Sequence, residues 1–328
     1  IEGVTDNFNA LCKEGLLFTN FYANGNRSDK GLVSLLSGYY PQPNNSIIKM
    51  PNKSGSLPML TKHIKKLGYS TAFYYGGDMN FGNMNTYMMQ GEVDKIVDGD
   101  YFQTKDWNSK WGAHDKVLFD KFKNDLTGNI KAPFFKTIFT LSSHEPFEFP
   151  DTYKFGKKSN ETKFLSSLAY TDKSLGDFID HAKKQPWWND TLVIITGDHG
   201  HPMPAHDGAF NGPKRFHIPM LWLGGALKKK NLIEPRFSGQ TDLAATLLEL
   251  LKADSSEFKW GTNIFKKSEL SSVHYIFRDG FGTIDKNGHV VFDYVSKQPI
   301  QTEGSSVNYL RDLGQVLTQN AYQDFIER

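Results

Sequence analysis

The sequence has very little cysteine: Cys12 is the single one in 328 residues. One thiol excludes an internal disulfide and any metal cluster held by several thiolates. Cys12 lies on the apolar side of a predicted helix in "NFNALCKEG", so we expect it to fill a small space in the core. Low cysteine usage leaves the cellular compartment open.

Long apolar runs are missing as well. No stretch is long enough to cross a bilayer, and no signal peptide is recognisable. The chain nevertheless opens on Ile1, in the middle of what looks like a loop. We therefore expect it to be a piece of a longer protein with an anchor or signal upstream.

A strong charge of either sign is also absent, because the formal net charge is +2. This value provides no general electrostatic case for binding nucleic acid. The basic run at residues 228–230 is interpreted as a solvated loop. The 38% hydrophobic and 14% aromatic content is instead typical of a globular protein with a large core.

Strand and helix signals alternate over residues 1–264, which predicts an α/β domain with a mostly parallel sheet flanked by helices. Buried strands are expected at "YSTAFYY", "PFFKTIFTLSS" and "TLVIITGDHG", with a long helix over residues 161–184. From residue 265 onward, "VHYIFRDGFGTIDKNGHVVFDYV" has two β-rich runs around turn signals, and a closing helix follows. Residues 265–328 are therefore predicted to form a small antiparallel sheet plus a helix.

The stretch "FTNFYANGNRSDKGLVSLLSGYYPQP", residues 18–43, reads as a strand, a turn and a helix. Leu32, Leu35 and Leu36 recur at helical spacing, so the helix begins close to Ser28. The Ser28 hydroxyl could cap this helix. Alternatively, it lies where amide donors and the helix dipole favour an anion, and could attack a phosphate or sulfate ester. This stretch alone leaves both interpretations open.

Two further strands end in polar side chains. Asp198 and His199 directly follow an apolar strand, where a carboxylate and an imidazole can bind one cation, or act as a helix cap and a loop histidine. His144 follows the strand in "FFKTIFTLSSHEPF" and, taken alone, is more often structural. Because the carboxyl ends of strands in an α/β sheet meet at one edge, we expect these groups to lie close together.

The order of these motifs resembles that of a known family. "GLLFTNFYANGNRSDKGLVSLLSG", "WGAHDKVLF", "FFKTIFTLSSHEPF", "LVIITGDHGH" and "FHIPMLWLGG" with "GQTDLAATLLELL" resemble the lipoteichoic acid synthase-like phosphoglycerol transferases of the sulfatase and alkaline phosphatase superfamily. The match covers nearly the whole chain, with the motifs in family order. It implies an alkaline-phosphatase-like (sulfatase-like) fold, with residues 1–264 as the catalytic domain.

The resemblance also implies roles for individual residues. The nucleophile falls on Ser28, where the family usually has threonine, and the ligands of one divalent cation fall on Ser28, Asp198 and His199. The cation is commonly manganese, with magnesium or zinc as alternatives. His144 matches a substrate-contacting histidine that assists catalysis. The expected reaction is attack of Ser28 on phosphorus, giving a covalent phosphoseryl intermediate.

Further residues are predicted to bind the substrate, although Asp78 could equally cap a helix. The motif match does not decide which of two histidines, at positions 201 and 206, lies near the metal. The predicted substrate-binding residues are Arg27, Lys30, Asp78, Asn83, His201 and His206.

The chain departs from the family pattern at two places. A tryptophan and an arginine that hold glycerol phosphate in the synthase fall nearest to Gly82 and Met84, which puts the polymer-building activity in question. The family also places a metal-binding glutamate on a first strand, upstream of the segment equivalent to "VTDNFNALCKEG". Glu2 lies too close to the following helix to replace it. We therefore expect an incomplete metal site in this chain.

The resemblance implies the extracytoplasmic domain of a membrane-anchored bacterial enzyme that transfers or cleaves a phosphoester headgroup. Its expected partners are a phospholipid or an envelope glycan and, through an absent N-terminal anchor, the membrane. One alternative is a sulfatase that uses formylglycine, but "DKGL" after Ser28 lacks the proline and arginine that maturation needs. The other is a non-catalytic binding module of the same fold.

Overall fold

The computed structural model describes residues 1–128, 130–205, 208–268 and 271–328. Its α-helices are α1 (Asp6–Cys12), α2 (Ser28–Ser37), α3 (Pro51–Ser54), α4 (Leu60–Lys66), α5 (Met84–Gln90), α6 (Asp115–Asp125), α7 (Asn160–Ala182), α8 (Pro213–Phe216), α9 (Thr241–Leu250) and α10 (Val307–Glu327). Its strands are β1 (Leu16–Phe18), β2 (Phe21–Tyr22), β3 (Ser70–Tyr75), β4 (Lys95–Val97), β5 (Phe134–Phe139), β6 (Val193–Thr196), β7 (Met220–Leu223), β8 (Leu232–Glu234), β9 (Ser238–Gly239), β10 (Val273–Phe277), β11 (Gly280–Asp285), β12 (Gly288–Asp293) and β13 (Gln298–Gly304).

The larger part of the chain is a mixed α/β fold, as predicted. Its strands form a parallel three-stranded sheet, in the order β4-β3-β5, a four-stranded sheet, in the order β6-β7-β1-β8, and a parallel pair, β2-β9. In the second sheet β7 runs antiparallel to both β6 and β1, while β8 is parallel to β1. The predicted parallel arrangement therefore has one reversed strand.

The facing edges of the two sheets are β5 and β6. Phe135 of β5 and Ile194 of β6 pack against one hydrophobic core, which also contains Met220. A second core, around Phe178, receives the side chains that point the other way: Phe134, Ile138, Val193 and Ile195. Within the described residues β5 and β6 exchange no backbone hydrogen bonds, and both are half-buried throughout. Both hydrophobic cores therefore extend across two unpaired strand edges.

Helix α2 begins close to the predicted position, at Ser28, and ends before Gly38 as the sequence predicts. Leu32, Val33 and Leu36 are buried against the neighbouring core. Gly38 follows the helix with φ +57°, a left-handed conformation that glycine adopts without strain and that ends a helix. Packing of the apolar side chains fixes the orientation of α2, and Gly38 ends it. Ser28 lies at the opposite end of this helix.

The C-terminal part is an antiparallel sheet, β10-β11-β12-β13, with α10 packed on it. The sequence predicted two β-rich runs in the segment that contains three strands, because the turns before Gly280 and Gly288 are short and the runs on either side merge. Asn24 joins this sheet to the larger part, since its side chain donates to the His274 carbonyl at 2.7 Å. The domain boundary at residue 264 stays a prediction.

Candidate functional site

Ser28 is the first residue of α2. The N-cap position is held by Arg27, whose backbone is extended at φ −151° and ψ 154°, and no side chain caps this end of the helix. The interpretation of Ser28 as a helix cap is therefore wrong, because the helix begins one residue earlier than a serine cap requires. Ser28 is half-buried and belongs to the first helical turn, where the amides of an α-helix have no intrahelical partner from the preceding turn.

The start of α2 packs against the turn that follows β6. A β-carbon on Gly31 would overlap the main-chain carbonyl of Asp198. Gln240 donates to the same carbonyl at 2.6 Å and to the Gly197 carbonyl at 3.0 Å, while its side-chain oxygen accepts from the Asn24 amide at 3.1 Å. Gln240 is fully buried, so it fixes the Asp198 turn relative to the loop that leads to Ser28.

Asp198 and His199 have the geometry of a cation-binding pair. The Nδ1 of His199 lies 2.9 Å from the Gly200 carbonyl, so the neutral ring donates there and keeps a lone pair on Nε2. This Nε2 lies 3.6 Å from Asp198 Oδ2. Two ligands of one tetrahedral cation, each about 2.1 Å from it, lie about 3.4 Å apart. The pair therefore fits a divalent cation.

The ligand set in the described ranges is nevertheless small. No group of three or more histidine, cysteine, aspartate or glutamate side chains able to hold a metal is found among those residues. Asp198, His199 and the Ser28 hydroxyl could hold a cation of the Mn²⁺, Mg²⁺ or Zn²⁺ type, which bind nitrogen and oxygen donors. A full coordination shell needs further donors.

His144 is presented by the loop after β5. Its Nδ1 lies 3.0 Å from the Glu145 carbonyl, which leaves Nε2 of the exposed ring available to a substrate. Asp115, the first residue of α6, accepts from the Leu141 and Ser142 amides at 2.8 and 3.1 Å. Burial raises the pKa of the Asp115 carboxyl, whereas these hydrogen bonds lower it. Asp115 thus anchors the loop that carries His144.

His201 lies on the same side of the molecule. Its ring stacks on Phe164, with centroids 4.2 Å apart, and Nδ1 accepts from the Met203 amide at 3.0 Å. Burial is the main cause that lowers the pKa of His201, and His199 and His144 lower it further. These three histidines are therefore close enough to interact electrostatically.

Tyr75 ends β3 and was not predicted as a site residue. Burial raises its pKa to about 12, and the negative charges of Asp198, Asp115 and Asp78 add to this increase. These three carboxylates are therefore near enough to Tyr75 for their charges to act on its hydroxyl. The Asp78 carboxylate accepts from the Asn80 amide at 2.8 Å, but Asp78 is not a helix cap, because the N-cap position of α5 is held by Asn83 and has no side-chain hydrogen bond.

The remaining predicted residues have different environments. The Lys30 ammonium is buried and donates to the Pro43 carbonyl at 2.8 Å, and burial lowers its pKa to about 8. Arg27 is exposed. Asn83, at φ +62°, holds the N-cap position of α5. His206 lies outside the described residues.

Gln240, Asp115 and Tyr75 were missed by the sequence analysis. The signal for Tyr75 is a polar side chain at a strand end, which is also the signal for His144 and Asp198. Gln240 and Asp115 lay within the motifs "GQTDLAATLLELL" and "WGAHDKVLF", but their hydrogen bonds connect segments far apart in sequence.

A hydroxyl at a helix N-terminus beside a carboxylate–imidazole pair, at the edge of an α/β sheet, is typical of enzymes that act on phosphate or sulfate esters. The family model described as Sulfatase matches residues 2–253, and the chain belongs to this family. It is accordingly an enzyme of the sulfatase superfamily, a transferase or a hydrolase. Members of this superfamily generally depend on a divalent metal.

Sequence relatives of the chain include enzymes of the predicted lipoteichoic acid synthase-like group. Lipoteichoic acid synthase from Staphylococcus aureus (strain USA300) is 26% identical over 325 residues, which cover 90% of this chain and 49% of the synthase. The chain thus spans about half the length of the curated relatives it matches. The predicted resemblance to lipoteichoic acid synthase-like enzymes is confirmed.

Solved structures share the fold. A protein in the alkaline phosphatase superfamily from Vibrio parahaemolyticus has a TM-score of 0.83 at 27% identity, covering 99% of this chain and 82% of its own. The lipoteichoic acid synthase LtaP from Listeria monocytogenes has a TM-score of 0.78 at 19% identity, covering 98% and 86%. The predicted alkaline-phosphatase-like fold is confirmed. None of the helices in the described ranges is long and apolar enough to span a membrane.

Proposed function

We propose that this chain is the catalytic domain of a divalent-metal-dependent enzyme that transfers or cleaves a phosphoester headgroup, with Ser28 as the nucleophile. The observation that carries the proposal is the contact between Gly31 and the Asp198 carbonyl, because it joins the helix that begins at Ser28 to the cation-binding pair.

The chemistry follows from the positions of these groups. Asp198, His199 and Ser28 would hold the cation, whose charge would favour loss of the serine proton to solvent. The Ser28 Oγ then attacks phosphorus, a P–O bond to the substrate breaks, and a phosphoserine remains. The first-turn amides of α2 donate to the non-bridging oxygens. His144 in its protonated form donates a proton from Nε2 to the leaving oxygen.

An alcohol or water completes the reaction. It gives its proton to His144, attacks the phosphoserine and releases Ser28 in the ionised form in which it first attacked. An alcohol acceptor makes the enzyme a transferase, whereas water makes it a hydrolase. Lys30 does not contact the substrate in this proposal, because its buried ammonium donates to the Pro43 carbonyl.

The native metal, the substrate and the cellular location are proposed by analogy with the relatives. We propose manganese as the native metal and a phospholipid or an envelope glycan as the substrate, at the extracytoplasmic face of a membrane, by analogy with the lipoteichoic acid synthase relatives. We further propose that the remaining ligand is a glutamate on a strand that pairs between the unpaired edges of β5 and β6.

A substrate panel tests the proposal. The chain, and a longer form of the polypeptide that includes any upstream strand, are assayed with bis(p-nitrophenyl) phosphate, p-nitrophenyl phosphate and p-nitrophenyl sulfate, with Mn²⁺ or with EDTA. We expect Mn²⁺-dependent turnover of a phosphoester. A preference for the sulfate ester would instead make the enzyme a sulfatase, and no turnover at all would favour a binding module.

A further inference from the structure

Trp111 connects two loops at the rim of the site. Its indole N–H donates to the Glu145 carbonyl at 2.6 Å, and its ring contacts the His144 ring with centroids 4.5 Å apart. The Trp111 ring also contacts Phe81, with centroids 5.2 Å apart and the planes at 72°. The two aromatic rings form a corner directly beside the proposed proton donor.

The loop that carries Trp111 is held in place before any ligand binds. The Asn108 carboxamide oxygen accepts from the Trp111 amide at 2.6 Å and from the Lys110 amide at 3.0 Å. The next segment docks on the end of β3, since the Ala113 amide donates to the Gly76 carbonyl at 2.8 Å. A preorganised aromatic surface loses little entropy when a ligand packs on it.

The surroundings of this corner restrict what it can bind. Phe81 is 60% exposed, so one part of the corner is open to solvent. The Lys110 ammonium lies 5.0 Å from the centroid of the Trp111 ring, where it repels a cationic headgroup. Lys110 and the exposed His144 make the rim polar, which disfavours an acyl chain. An uncharged ring with C–H groups on one face and hydroxyls at its edge fits both conditions.

We propose that Phe81 and Trp111 form a subsite for a hexopyranose ring in the group that carries, or accepts, the phosphoester held at Ser28. This inference rests on the proposed function and adds a substrate class to it. A three-carbon polyol would cover one of the two aromatic rings, whereas a six-membered sugar ring spans both. Lys110 lies where it can meet an anionic substituent of the sugar.

Binding of two phosphates that differ only in their carbon skeleton tests the subsite. The affinities of the chain for glucose 6-phosphate and for glycerol 1-phosphate are measured by NMR titration. We expect glucose 6-phosphate to bind at least about fivefold more tightly, because the sugar ring gains contact with two aromatic faces. Phe81→Ala and Trp111→Ala should each remove most of this preference and change the affinity for glycerol 1-phosphate by less than about twofold.

Phe81→Ala is the decisive variant, because Phe81 is exposed and its loss leaves the Trp111 loop intact. Tyr101→Ala is the matched control: Tyr101 is 59% exposed and also lies beside a lysine, with Lys121 Nζ 4.4 Å from its ring centroid. The control should keep the preference. Equal affinities in the parent chain, no binding of either phosphate, or a preference that survives in Phe81→Ala would overturn the subsite.

The assay separates this inference from the proposed function. Turnover of bis(p-nitrophenyl) phosphate with saturating Mn²⁺ is measured on the same preparations and on the longer form of the polypeptide. If the chain turns over this diester without a preference for the sugar, the subsite is wrong and the function stands. If the preference is present without any phosphoester turnover, the subsite stands and the proposed function fails.

Discussion

Gly31 of α2 packs directly against the main-chain carbonyl of Asp198, with no room for a β-carbon between them. This contact sets the distance between the helix that begins at Ser28 and the turn that carries the cation-binding pair. A residue other than glycine at position 31 must push the two segments apart. The contact therefore makes the geometry of the site sensitive to a single methyl group outside it.

We accordingly predict that Gly31→Ala lowers turnover by about 100-fold, because a displacement of roughly 1 Å is enough to cost that much. Kinetics with a phosphodiester and Mn²⁺ check this. Gly68→Ala is the control, since Gly68 has φ +88° and open space around it, so this change strains the backbone without a clash. Equal losses in the two variants would show that the Gly31 effect is only a loss of stability.

Asp115→Ala is predicted to lower kcat by about 10-fold or more. The substitution leaves the Leu141 and Ser142 amides unpaired in a buried place, so the loop that presents His144 loses its anchor. Asp115→Asn keeps an acceptor oxygen and should restore much of the activity. Steady-state kinetics measure both variants.

Asp172→Ala provides the matched comparison for Asp115. Asp172 is also buried and accepts from the Asn7 and Phe8 amides at 2.8 Å each, but it holds α1 to α7 and not a loop of the site. We expect it to lower stability and leave kcat unchanged. A similar drop in kcat for Asp172→Ala and Asp115→Ala would contradict a positioning role for Asp115.

His274 should make the fold sensitive to acid. It is fully buried between Thr283 and Thr318, and burial lowers its pKa from 6.5 to about 3. Between these values the unfolded chain takes up a proton that the folded chain rejects. Stability therefore falls as the pH decreases from 6.5 toward 3 and rises with pH in that window.

Between pH 7 and pH 4 the free energy of unfolding should fall by roughly 2 to 4 kcal/mol less in the His274→Gln variant than in the parent. Urea unfolding at several pH values, each compared with pH 8, measures the effect. Identical pH dependence in the parent and the His274→Gln variant would mean that other groups cause the acid sensitivity.

The sequence predicted the elements that depend on local signals. Leu32 and Leu36 at helical spacing and Gly38 at the end defined α2, and apolar runs defined the strands that end before His144 and Asp198. The capping interpretation of Ser28 failed because it depends on a shift of one residue in the helix start, which propensities do not determine.

The sequence did not predict the contacts between segments that are distant along the chain. The Gln240 side chain bonds to the Asp198 carbonyl across 42 positions, and the Trp111 indole bonds to the Glu145 carbonyl across 34. Neither residue differs locally from an ordinary buried glutamine or a surface tryptophan. The reversed direction of β7 was equally hidden, since an apolar strand reads the same in either orientation.

Manganese binding tests the completeness of the ligand set. We predict weak binding to the 328-residue chain, because Asp198, His199 and Ser28 provide a single carboxylate. A longer form of the polypeptide that adds a glutamate-bearing strand between β5 and β6 should bind at least about 10-fold more tightly, and Glu→Gln on that strand should reverse the gain. Equal affinities would mean that the remaining ligand comes from residues 1–328 or is not needed.

The most direct test of the account is the turnover of Ser28→Ala in the enzyme with its metal, compared with the parent under the same conditions. The substitution removes the attacking oxygen but no helix cap, so the fold should be retained by circular dichroism. We predict a loss of about 1,000-fold or more in kcat, since the covalent path is closed. An alanine variant that kept more than about a tenth of the parent activity would contradict the assignment of Ser28 as the nucleophile.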